Sequence, residues 1–313
     1  MDVIYKMKNT IPRIISLFLV LLAMQRCAPE TQTTVSIKNF PEFYREGHRG
    51  TRGLMPENTI PSMTKAIEDG ANVIELDIQI SQDKKVLVAH DPYINREFSL
   101  LPNGDDIPEA DSHKYLLYQM PYDSIRKFDV GSKFHPGFPQ QKKMIVHIPL
   151  LGELIDSVEQ FTEAKRFDPV IYNIEIKSRP EQDGVYQPGP TELIGLVMDV
   201  VNSKDIADRF YIQSFDIRQI QEVHEHYPHV ATGFLTSNQD ATLEANLKNI
   251  GFIPQIYSPN YRLATKELVQ QCHAMGMKFV PWTVNTVEEM KAMKELGVDG
   301  IITDYPNLLQ GLD

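Results

Sequence analysis

Short apolar runs rich in Val and Ile alternate along most of the chain with longer segments in which apolar residues recur every three or four positions. The first pattern is typical of buried strands and the second of amphipathic helices, so from Glu46 onward the alternation predicts βαβ units around a parallel sheet. The chain contains nine strand candidates, whereas a barrel of this kind has eight strands. The pattern does not show which candidate is extra. The candidates are a short run ending at His48, NVIELDIQI, KVLVAHD, IYNIEIK, RFYIQSF, VATGFLT, FIPQIYS, KFVPWTV and GIITDY.

The first helix after these runs begin has recognisable ends. In NTIPSMTKAIEDG the apolar residues fall on one face, Asn58 or Thr59 is placed to cap the first turn, and Pro61 suits that turn because an N–H there would have no partner. Gly70 follows the last apolar position, where helices commonly stop. The segment is therefore predicted to be the first helix of the sheet's outer layer.

The alternation breaks in the middle of the chain, over residues 92–150. This stretch contains several prolines and an Asn-Gly turn pair, and it has no clear period until PLLGELIDSVEQF. A structureless loop of that length is rare inside a domain, so we predict a small insertion that lies over one end of the barrel. Its histidines, His113, His135 and His147, either contact part of a ligand there or have ordinary surface roles.

The overall charge limits the class of partner. The 313 residues carry a formal net charge of −11, and no block of Lys or Arg occurs past the first fifteen residues. This speaks against nucleic acid as the main partner, since proteins that bind it present clustered basic residues, and nothing in the sequence implies a protein partner. With only two cysteines there is no disulfide framework, and Cys272 is predicted to be a buried core thiol on the apolar side of the helix ELVQQCHAMG.

Residues 1–27 have the layout of an export signal. Basic residues precede the apolar run IISLFLVLLAM, which is too short to be interpreted first as a transmembrane span, and polar residues follow it. Cys27 stands where a bacterial lipoprotein carries its acylated cysteine, although Arg26 occupies a position that usually holds a small residue. We therefore expect an exported protein, periplasmic or on the outer surface. Three forms stay open: one anchored in the membrane through a lipid on Cys27, a cleaved soluble one and an uncleaved tethered one.

Charged residues occur in pairs on two of the predicted strands. Glu75 and Asp77 are two positions apart in VIELDIQI, so both side chains point to the same face, and Glu175 and Lys177 repeat the arrangement in NIEIK. Buried carboxylates repel one another unless a cation or hydrogen-bond donors compensate them. Three of them directed into one barrel mouth predict a site for a hard divalent cation, Ca²⁺ or Mg²⁺. The alternative is a set of structural ion pairs, with Glu175 bound to Lys177 and Glu75 bound to an arginine elsewhere.

Two histidines stand at the ends of predicted strands. His90 and Asp91 end the strand VLVAHD, where a parallel barrel presents its active-site residues, and His48 ends the first strand. Two imidazoles on one rim can share the roles of general base and general acid near neutral pH. His48 is followed by Arg49 in the glycine-rich stretch EGHRGTRGLMPENT, which suits either a bound anion, with the glycines leaving it room, or a simple turn.

These motifs occur together in one known family. GHRG, PENT, ELDIQ, AHD, NIEIK, WTVN and DGIITDYP follow one another in this order over residues 43–309. In order and spacing they resemble the glycerophosphodiester phosphodiesterases, members of the phospholipase-C-like phosphodiesterase superfamily. Each short motif alone is weak, whereas seven in register over nearly all of the chain after the export signal are specific.

The resemblance implies an α/β fold, a TIM (β/α)8 barrel over residues 43–310 with a small inserted subdomain after the third strand. It also implies an enzyme with one bound divalent cation, Ca²⁺ or Mg²⁺, that hydrolyses small-molecule glycerophosphodiesters to glycerol 3-phosphate and an alcohol through a cyclic phosphate. By motif, the acid–base pair is His48 and His90, the phosphate contacts are Arg49 and Lys177, the metal ligands are Glu75, Asp77 and Glu175, and Glu57 supports the site.

Parts of the sequence depart from the family pattern and leave the identity of the alcohol open. After His90 the stretch PYINREFSLLPNGDD keeps an arginine, Arg96, but lacks the expected threonines, and Gln213 replaces a serine in YIQSF. Trp282 either packs on the glycerol carbons of the substrate or is a core residue at the barrel end. Two other functions stay open: a phospholipase-type phosphodiesterase acting on lipid or lysolipid head groups, and a non-catalytic exported protein that binds phosphoesters.

Overall fold

The computed structural model describes residues 40–206 and 208–312 of the chain. In this part the apolar runs form nine strands, and most strand residues are buried because both faces of the sheet are covered. The strands are β1 (Tyr44–Gly47), β2 (Val73–Ile80), β3 (Val86–Val88), β4 (Ile171–Ile176), β5 (Phe210–Ser214), β6 (Ala231–Thr236), β7 (Ile256–Pro259), β8 (Lys278–Phe279) and β9 (Gly300–Thr303).

Helices follow most of the strands. The first begins directly after Thr59, whose hydroxyl accepts a hydrogen bond from the Ser62 N–H as an N-cap, and it ends shortly before Gly70, so the predicted bounds are confirmed. Among the described residues the helices are α1 (Ile60–Glu68), α2 (Tyr122–Ile125), α3 (Leu151–Lys165), α4 (Pro190–Asn202), α5 (Ile217–His226), α6 (Leu243–Ile250), α7 (Lys266–Ala274) and α8 (Val287–Leu296). Short 3-10 turns occupy Glu109–Asp111, Leu117–Gln119, Pro180–Gln182, Tyr261–Leu263 and Pro306–Leu309.

Eight of the strands form a parallel barrel. Neighbouring strands pair in the order β8-β7-β6-β5-β4-β2-β1-β9, and all of these pairs are parallel. Hydrogen bonds join the segment around β8 to β9 and bring the ends of the sheet together, because the N–H groups of Asp299 and Ile302 donate to the carbonyls of Phe279 and Pro281. The predicted TIM barrel is therefore confirmed.

The extra strand candidate is β3, which does not belong to the barrel. It pairs with β2 in the antiparallel direction, with Val88 opposite Ile78. The expectation that His90 ends a parallel barrel strand is therefore wrong, because the strand before it is antiparallel. Because β2 continues past its last pair with β4 and β3 runs back along it, the Ala89 N–H donates to the Asp77 carbonyl. His90 thus returns to the level of the acidic residues of β2.

The interior of the barrel is divided into an apolar layer and a polar layer. Inward-facing residues near the amino-terminal ends of the strands, among them Tyr44, Val73 and Tyr211, form one buried apolar cluster. Phe40 lies against this cluster, with ring centroids 5.7 Å from Tyr44 and 5.8 Å from Tyr211. Two positions further along several strands the buried residues become polar. The polar groups are therefore collected toward the carboxyl ends of the strands, where TIM barrels carry their sites.

The segment between β3 and α3 has a hydrophobic cluster of its own. Buried residues such as Ile94, Ile125 and Ile148 pack there with Leu87 of β3, whereas Val86 and Val88 belong to the cluster between the barrel and its helices. The segment also lies against the loop after β1, where the Lys142 N–H donates to the Leu54 carbonyl. It therefore reaches the rim at which β1 ends.

Three further observations concern other sequence features. Cys272 is fully buried in the cluster that contains residues of β7 and β8, as predicted. The export signal predicted over residues 1–27, including Cys27, lies outside the described residues. Among the residues that the structure does describe, no helix is both long and apolar enough to cross a membrane.

Candidate active site

Three acidic side chains meet at the carboxyl ends of β2 and β4. Asp77 and Glu175 are paired neighbours across the two strands, and Glu75 lies two residues before Asp77 on the same face. Their candidate ligand oxygens lie within 4.8 Å of one another, and all three side chains are buried. The structure therefore brings the predicted metal ligands together.

The acidic cluster fits a hard divalent cation. One carboxylate oxygen of Glu75 and one of Asp77 are buried and accept no hydrogen bond from the described residues. Burial, together with the charges of Asp77 and Glu175, raises the pKa of Glu75 well above its ordinary value. A cation would satisfy these oxygens, and Ca²⁺ and Mg²⁺ are the ions that prefer all-oxygen ligand sets in proteins.

One of the structural ion pairs of the alternative interpretation, between Lys177 and Glu175, is also present. The Lys177 ammonium lies 2.7 Å from Glu175 Oε1 and 3.7 Å from Asp77 Oδ1. Among the described residues no guanidinium pairs with Glu75, whose Oε2 accepts the backbone N–H of Arg49 instead. These contacts offset part of the negative charge but leave the two open oxygens without a hydrogen bond, so the ion pairs are compatible with a cation site.

The Arg49 guanidinium joins carboxylates from two different elements. Its Nη1 donates to Glu57 at 2.8 Å, and its Nε lies 3.2 Å from Asp77 Oδ2. Asn58 adds to this connection, because its amide N–H donates to Asp77 Oδ2 and its amide oxygen accepts the Asp77 backbone N–H. Burial alone would raise the pKa of Asp77, but the charge of Arg49 and of other nearby cations holds it well below its ordinary value. The PENT residues thus hold Asp77 ionised and in place.

The glycines beside His48 allow close packing of the backbone. A Cβ on Gly47 would lie 2.3 Å from the Gly50 carbonyl oxygen, and one on Gly50 would lie 2.5 Å from the backbone of Ser62 in α1. Gly50 also has a φ of 82°, which L side chains rarely adopt. The glycines therefore give the backbone room, as predicted, and the room for an anion stays a prediction. They let the loop after β1 pack against α1, and the same loop carries His48 and Arg49 to the site.

His48 is held by a carboxylate at its Nδ1. That atom lies 2.7 Å from Asp304 Oδ1, and the other Asp304 oxygen accepts a hydrogen bond from the Asn285 amide at 2.7 Å. The backbone N–H of His48 donates to the Thr303 carbonyl, so β1 and β9 together position the ring. Burial lowers the pKa of His48; Asp304 opposes this shift and Arg49 adds to it. The imidazole is therefore neutral at neutral pH, with Nε2 left for a ligand.

His90 has a similar arrangement with its neighbour in the sequence. Its Nδ1 lies 2.9 Å from Asp91 Oδ1, and the Asn95 amide donates to the other Asp91 oxygen at 2.7 Å. Burial would raise the pKa of Asp91, but the contact with His90 and the hydrogen bond from Asn95 hold it below its ordinary value. The His90 side chain is 30 % exposed, against 13 % for His48. His90 is therefore the more accessible of the two imidazoles.

A cavity of about 320 Å³ joins these groups. Trp282 forms part of its wall, because the indole N–H donates to the Ser258 carbonyl at 2.9 Å and the ring meets Phe215 edge-on at 5.3 Å between centroids. Trp282 is thus anchored at the barrel end and also lines the cavity, and its contact with the glycerol carbons of a substrate stays a prediction. Glu57 and Asp77 lie behind the wall, in contact with Arg49. The predicted residues that line the cavity are His48, Arg49, Glu75, His90, Glu175, Lys177 and Trp282.

Several residues of the site are not predicted by the motifs. Arg52 lines the cavity, and its Nε lies 2.6 Å from Glu57 Oε2. Asp304 and Asn58 position His48 and Asp77 through the hydrogen bonds described above. The sequence contains weak signals for them, since Arg52 and Asn58 stand in the stretch HRGTRGLMPENT and Asp304 stands near the end of the run GIITDY. Their roles depend on which strand ends are neighbours, and a short motif does not contain that information.

The histidines of the segment 92–150 have different surroundings. His135 is buried between the rings of Phe98 and Phe138, so neither a surface role nor a ligand contact fits it. His147 is partly exposed. His113 lines a larger groove that opens beside the cavity, which keeps the ligand alternative for this histidine.

The chain is similar to proteins of one enzyme family. Residues 48–308 match the model of the glycerophosphoryl diester phosphodiesterase family. A glycerophosphodiester phosphodiesterase of Bacillus altitudinis is 31 % identical over 83 % of this chain and 94 % of its own, and one of Caldanaerobacter subterraneus subsp. tengcongensis is 32 % identical over 85 % and 95 %. The solved structure of a Silicibacter pomeroyi protein provisionally given the same family name has a TM-score of 0.77 at 27 % identity, covering 88 % of this chain and 95 % of that one. The resemblance in motifs is confirmed, and the chain belongs to the glycerophosphoryl diester phosphodiesterase family.

Proposed function

We propose that the protein hydrolyses glycerophosphodiesters to glycerol 3-phosphate and an alcohol with the help of one divalent cation. The observation that carries this proposal is the pair of histidines, each bound at Nδ1 by a carboxylate, that line one cavity together with the acidic cluster. Family membership and the names of the two bacterial relatives support the same reaction. The volume of about 320 Å³ suits a small ligand such as glycerol phosphate.

The charges around the cavity favour a bound divalent cation. With every group ionised, six carboxylates outweigh three cationic side chains and leave a formal charge of −3. A divalent ion would reduce this to −1 and so weaken the repulsion of a phosphodiester, which carries a single negative charge. Glu75, Asp77 and Glu175 would hold the ion, whose chemistry is to stabilise negative charge on the phosphoryl oxygens. The carboxylates counted are Glu57, Glu75, Asp77, Asp91, Glu175 and Asp304, and the cations are Arg49, Arg52 and Lys177.

His48 acts as the general base of the first step. Burial lowers its pKa, its Nδ1 proton is held by Asp304, and its Nε2 is therefore the proton acceptor. It removes the proton of the glycerol hydroxyl next to the phosphate while that oxygen attacks phosphorus and closes a cyclic phosphate. Arg49 and Lys177 contact the phosphate oxygens, on which negative charge grows in the transition state.

His90 acts as the general acid of the same step. It lines both the cavity and the groove beside it, so it stands where the alcohol leaves. As the bond between phosphorus and the alcohol oxygen breaks, His90 donates a proton to that oxygen. In the second step His90 takes a proton from the water that opens the cyclic phosphate, and His48 returns its proton to the glycerol oxygen. Both histidines are then restored.

The two alternative functions agree less well with the site. A protein that only binds phosphoesters has no need of two imidazoles, each bound by a carboxylate. The groove beside His90 is lined by apolar and aromatic side chains and also by charged and polar ones, among them Arg179, Glu181 and Gln182. This lining suits a polar alcohol better than the acyl chains of a phospholipase substrate, because burying these groups against hydrocarbon would leave them without hydrogen bonds.

Release of glycerol 3-phosphate from a glycerophosphodiester tests the reaction. We expect turnover with added Ca²⁺ or Mg²⁺ and its loss in excess chelator, and unchanged turnover in chelator would contradict the role of a cation. His48→Ala and His90→Ala should each lower kcat by about 10² or more. His229→Ala, which replaces an exposed histidine outside the cavity lining, should match the parent. Full activity of either active-site variant would remove that histidine from the mechanism.

A further inference from the structure

A groove opens from the cavity on the side of His90. Its volume is about 940 Å³, compared with about 320 Å³ for the cavity, and the two share His90, Glu175, Lys177 and Phe215. Most of its wall comes from the segment 92–150 and the loop after β4, and residues after β5 and β6 complete it. A substrate with its phosphate near Lys177 would therefore extend its alcohol into this groove.

Part of the groove wall consists of aromatic rings. Tyr93 and His113 belong to the segment 92–150 and meet edge-on, with centroids 4.3 Å apart. Tyr186, from the loop after β4, lines the same groove. Rings of this kind provide apolar surface while their polar atoms remain able to form hydrogen bonds. The groove can therefore pack against the C–H groups of a ligand as well as bind its polar groups.

Several polar side chains of the groove have no partner within the protein. Among the described residues, the side chains of Arg179, Glu181, Gln182, Tyr186 and Ser237 form no hydrogen bond or ion pair. Together they offer a guanidinium, a carboxylate, an amide and two hydroxyls, which include both donors and acceptors. A ligand that displaces water from these groups must form hydrogen bonds with them in its place. If it does not, the binding free energy becomes less favourable.

Three of the four carboxylates that line the groove contact a partner within the protein. Asp91 is bound to His90, and Glu175 to Lys177. The Asp216 Oδ2 lies 2.6 Å from the Arg218 guanidinium. The fourth, Glu181, has no such contact among the described residues, and the Arg179 guanidinium lines the same groove.

We propose that this groove binds alcohols that carry several hydroxyl groups, such as a cyclitol or a sugar, in preference to choline; the inference rests on the proposed function. A polyhydroxylated ring exchanges hydrogen bonds with Arg179, Glu181 and Gln182 while its C–H groups pack against the aromatic wall. A trimethylammonium group forms no hydrogen bonds and would leave these side chains without partners.

Two substrates that share the glycerol phosphate end compare the alcohols directly. We expect kcat/KM to be about tenfold higher for glycerophosphoinositol than for glycerophosphocholine, a factor that one or two net hydrogen bonds supply. Both are assayed with the same added cation, by release of glycerol 3-phosphate. The quantity compared between proteins is the ratio of the two kcat/KM values.

Substitutions in the groove test whether its polar side chains cause this ratio. Arg179→Ala and Gln182→Ala should each lower the ratio about three- to tenfold, because each removes one hydrogen-bonding partner of the cyclitol. The matched control is Arg126→Ala, which replaces an exposed arginine of the segment 92–150 that does not line the groove. This control should keep the ratio of the parent.

The outcomes separate this inference from the proposed reaction. A parent ratio of one or less, or an equal ratio in the parent and in both groove variants, would overturn the preference for polyhydroxylated alcohols while hydrolysis itself stands. If neither substrate is hydrolysed in the presence of the cation, the proposed function fails, and the role of the groove fails with it.

Discussion

Glu46 is an acid inside the barrel that takes no part in the proposed reaction. It lies fully buried on β1, two residues before His48, and accepts hydrogen bonds from the Asn173 amide and the Tyr211 hydroxyl. Burial raises the pKa of Glu46 from 4.5 to about 7, against the lowering effect of these two hydrogen bonds. The carboxyl therefore resists ionisation in the folded protein.

Because of this raised pKa, Glu46 should make the free energy of unfolding fall as the pH rises. Below pH 4.5 the carboxyl is neutral in the folded and the unfolded states, so it does not favour either. As the pH rises from 4.5 through about 7 the unfolded chain ionises first, and the free energy of unfolding falls. Since one pKa unit corresponds to about 1.36 kcal/mol, the rise from 4.5 to about 7 amounts to roughly 3 kcal/mol lost well above pH 7. Of this, about 2.5 kcal/mol is lost between about pH 5 and about pH 8.5.

Glu46→Gln removes the titration and keeps the shape of the side chain. Urea unfolding of parent and variant at the two pH values, with chelator in every sample, measures the effect. We expect the free energy of unfolding of the variant, minus that of the parent, to increase by about 2–3 kcal/mol between pH 5 and pH 8.5. All other titrating groups are present in both proteins, so this change reports on Glu46. An equal difference at both pH values, or a shift in favour of the parent at the higher pH, would refute the reasoning.

Three further outcomes are expected. Asp304→Asn should lower kcat by about 10² or more, because an amide does not stabilise the protonated His48 imidazole. Ca²⁺ binding, measured by calorimetric titration, should be nearly unchanged. An unchanged kcat would count against His48 as the general base. The increase in melting temperature caused by Ca²⁺ should grow as the pH is raised from about 5 to about 8, since burial raises the pKa of Glu75 and its proton must leave before it binds an ion. A Ca²⁺ effect that is constant over this range would contradict that reasoning, and Glu75→Gln should remove the pH dependence. We also propose that the protein is exported, with the lipid anchor on Cys27, the cleaved soluble form and the uncleaved tether left open; if the anchor is present, Cys27→Ser should move the protein from the membrane fraction to the soluble fraction, and an unchanged distribution would exclude it.

The strands of the barrel can be predicted because their signal is local. A parallel strand covered on both faces requires apolar residues at nearly every position, and the runs in this chain meet that requirement. The same criterion cannot separate β3 from the barrel strands. Its run Val86–Val88 is equally apolar, and its antiparallel direction follows from pairing with β2 rather than from composition.

The charged residues of the site are also marked locally. Polar and ionisable groups within apolar strands are costly to bury unless they are used, so Glu75, Asp77 and Glu175 stand out before any fold is known. Their ligand chemistry follows from residue type. Which cations lie beside them does not follow from residue type, and only the structure shows that the Arg49 guanidinium contacts Asp77 rather than Glu75.

The sequence by itself determined the repeated βα units, the acids of the cluster and the two histidines, because each follows from the local requirements of burial and ionisation. The tertiary structure alone decided how these groups meet. Asp304 reaches His48 across 256 positions of the chain because β9 pairs with β1, and His90 reaches the acids because β3 runs back along β2. The order and direction of strands are properties of the whole sheet, and no short stretch of residues contains them.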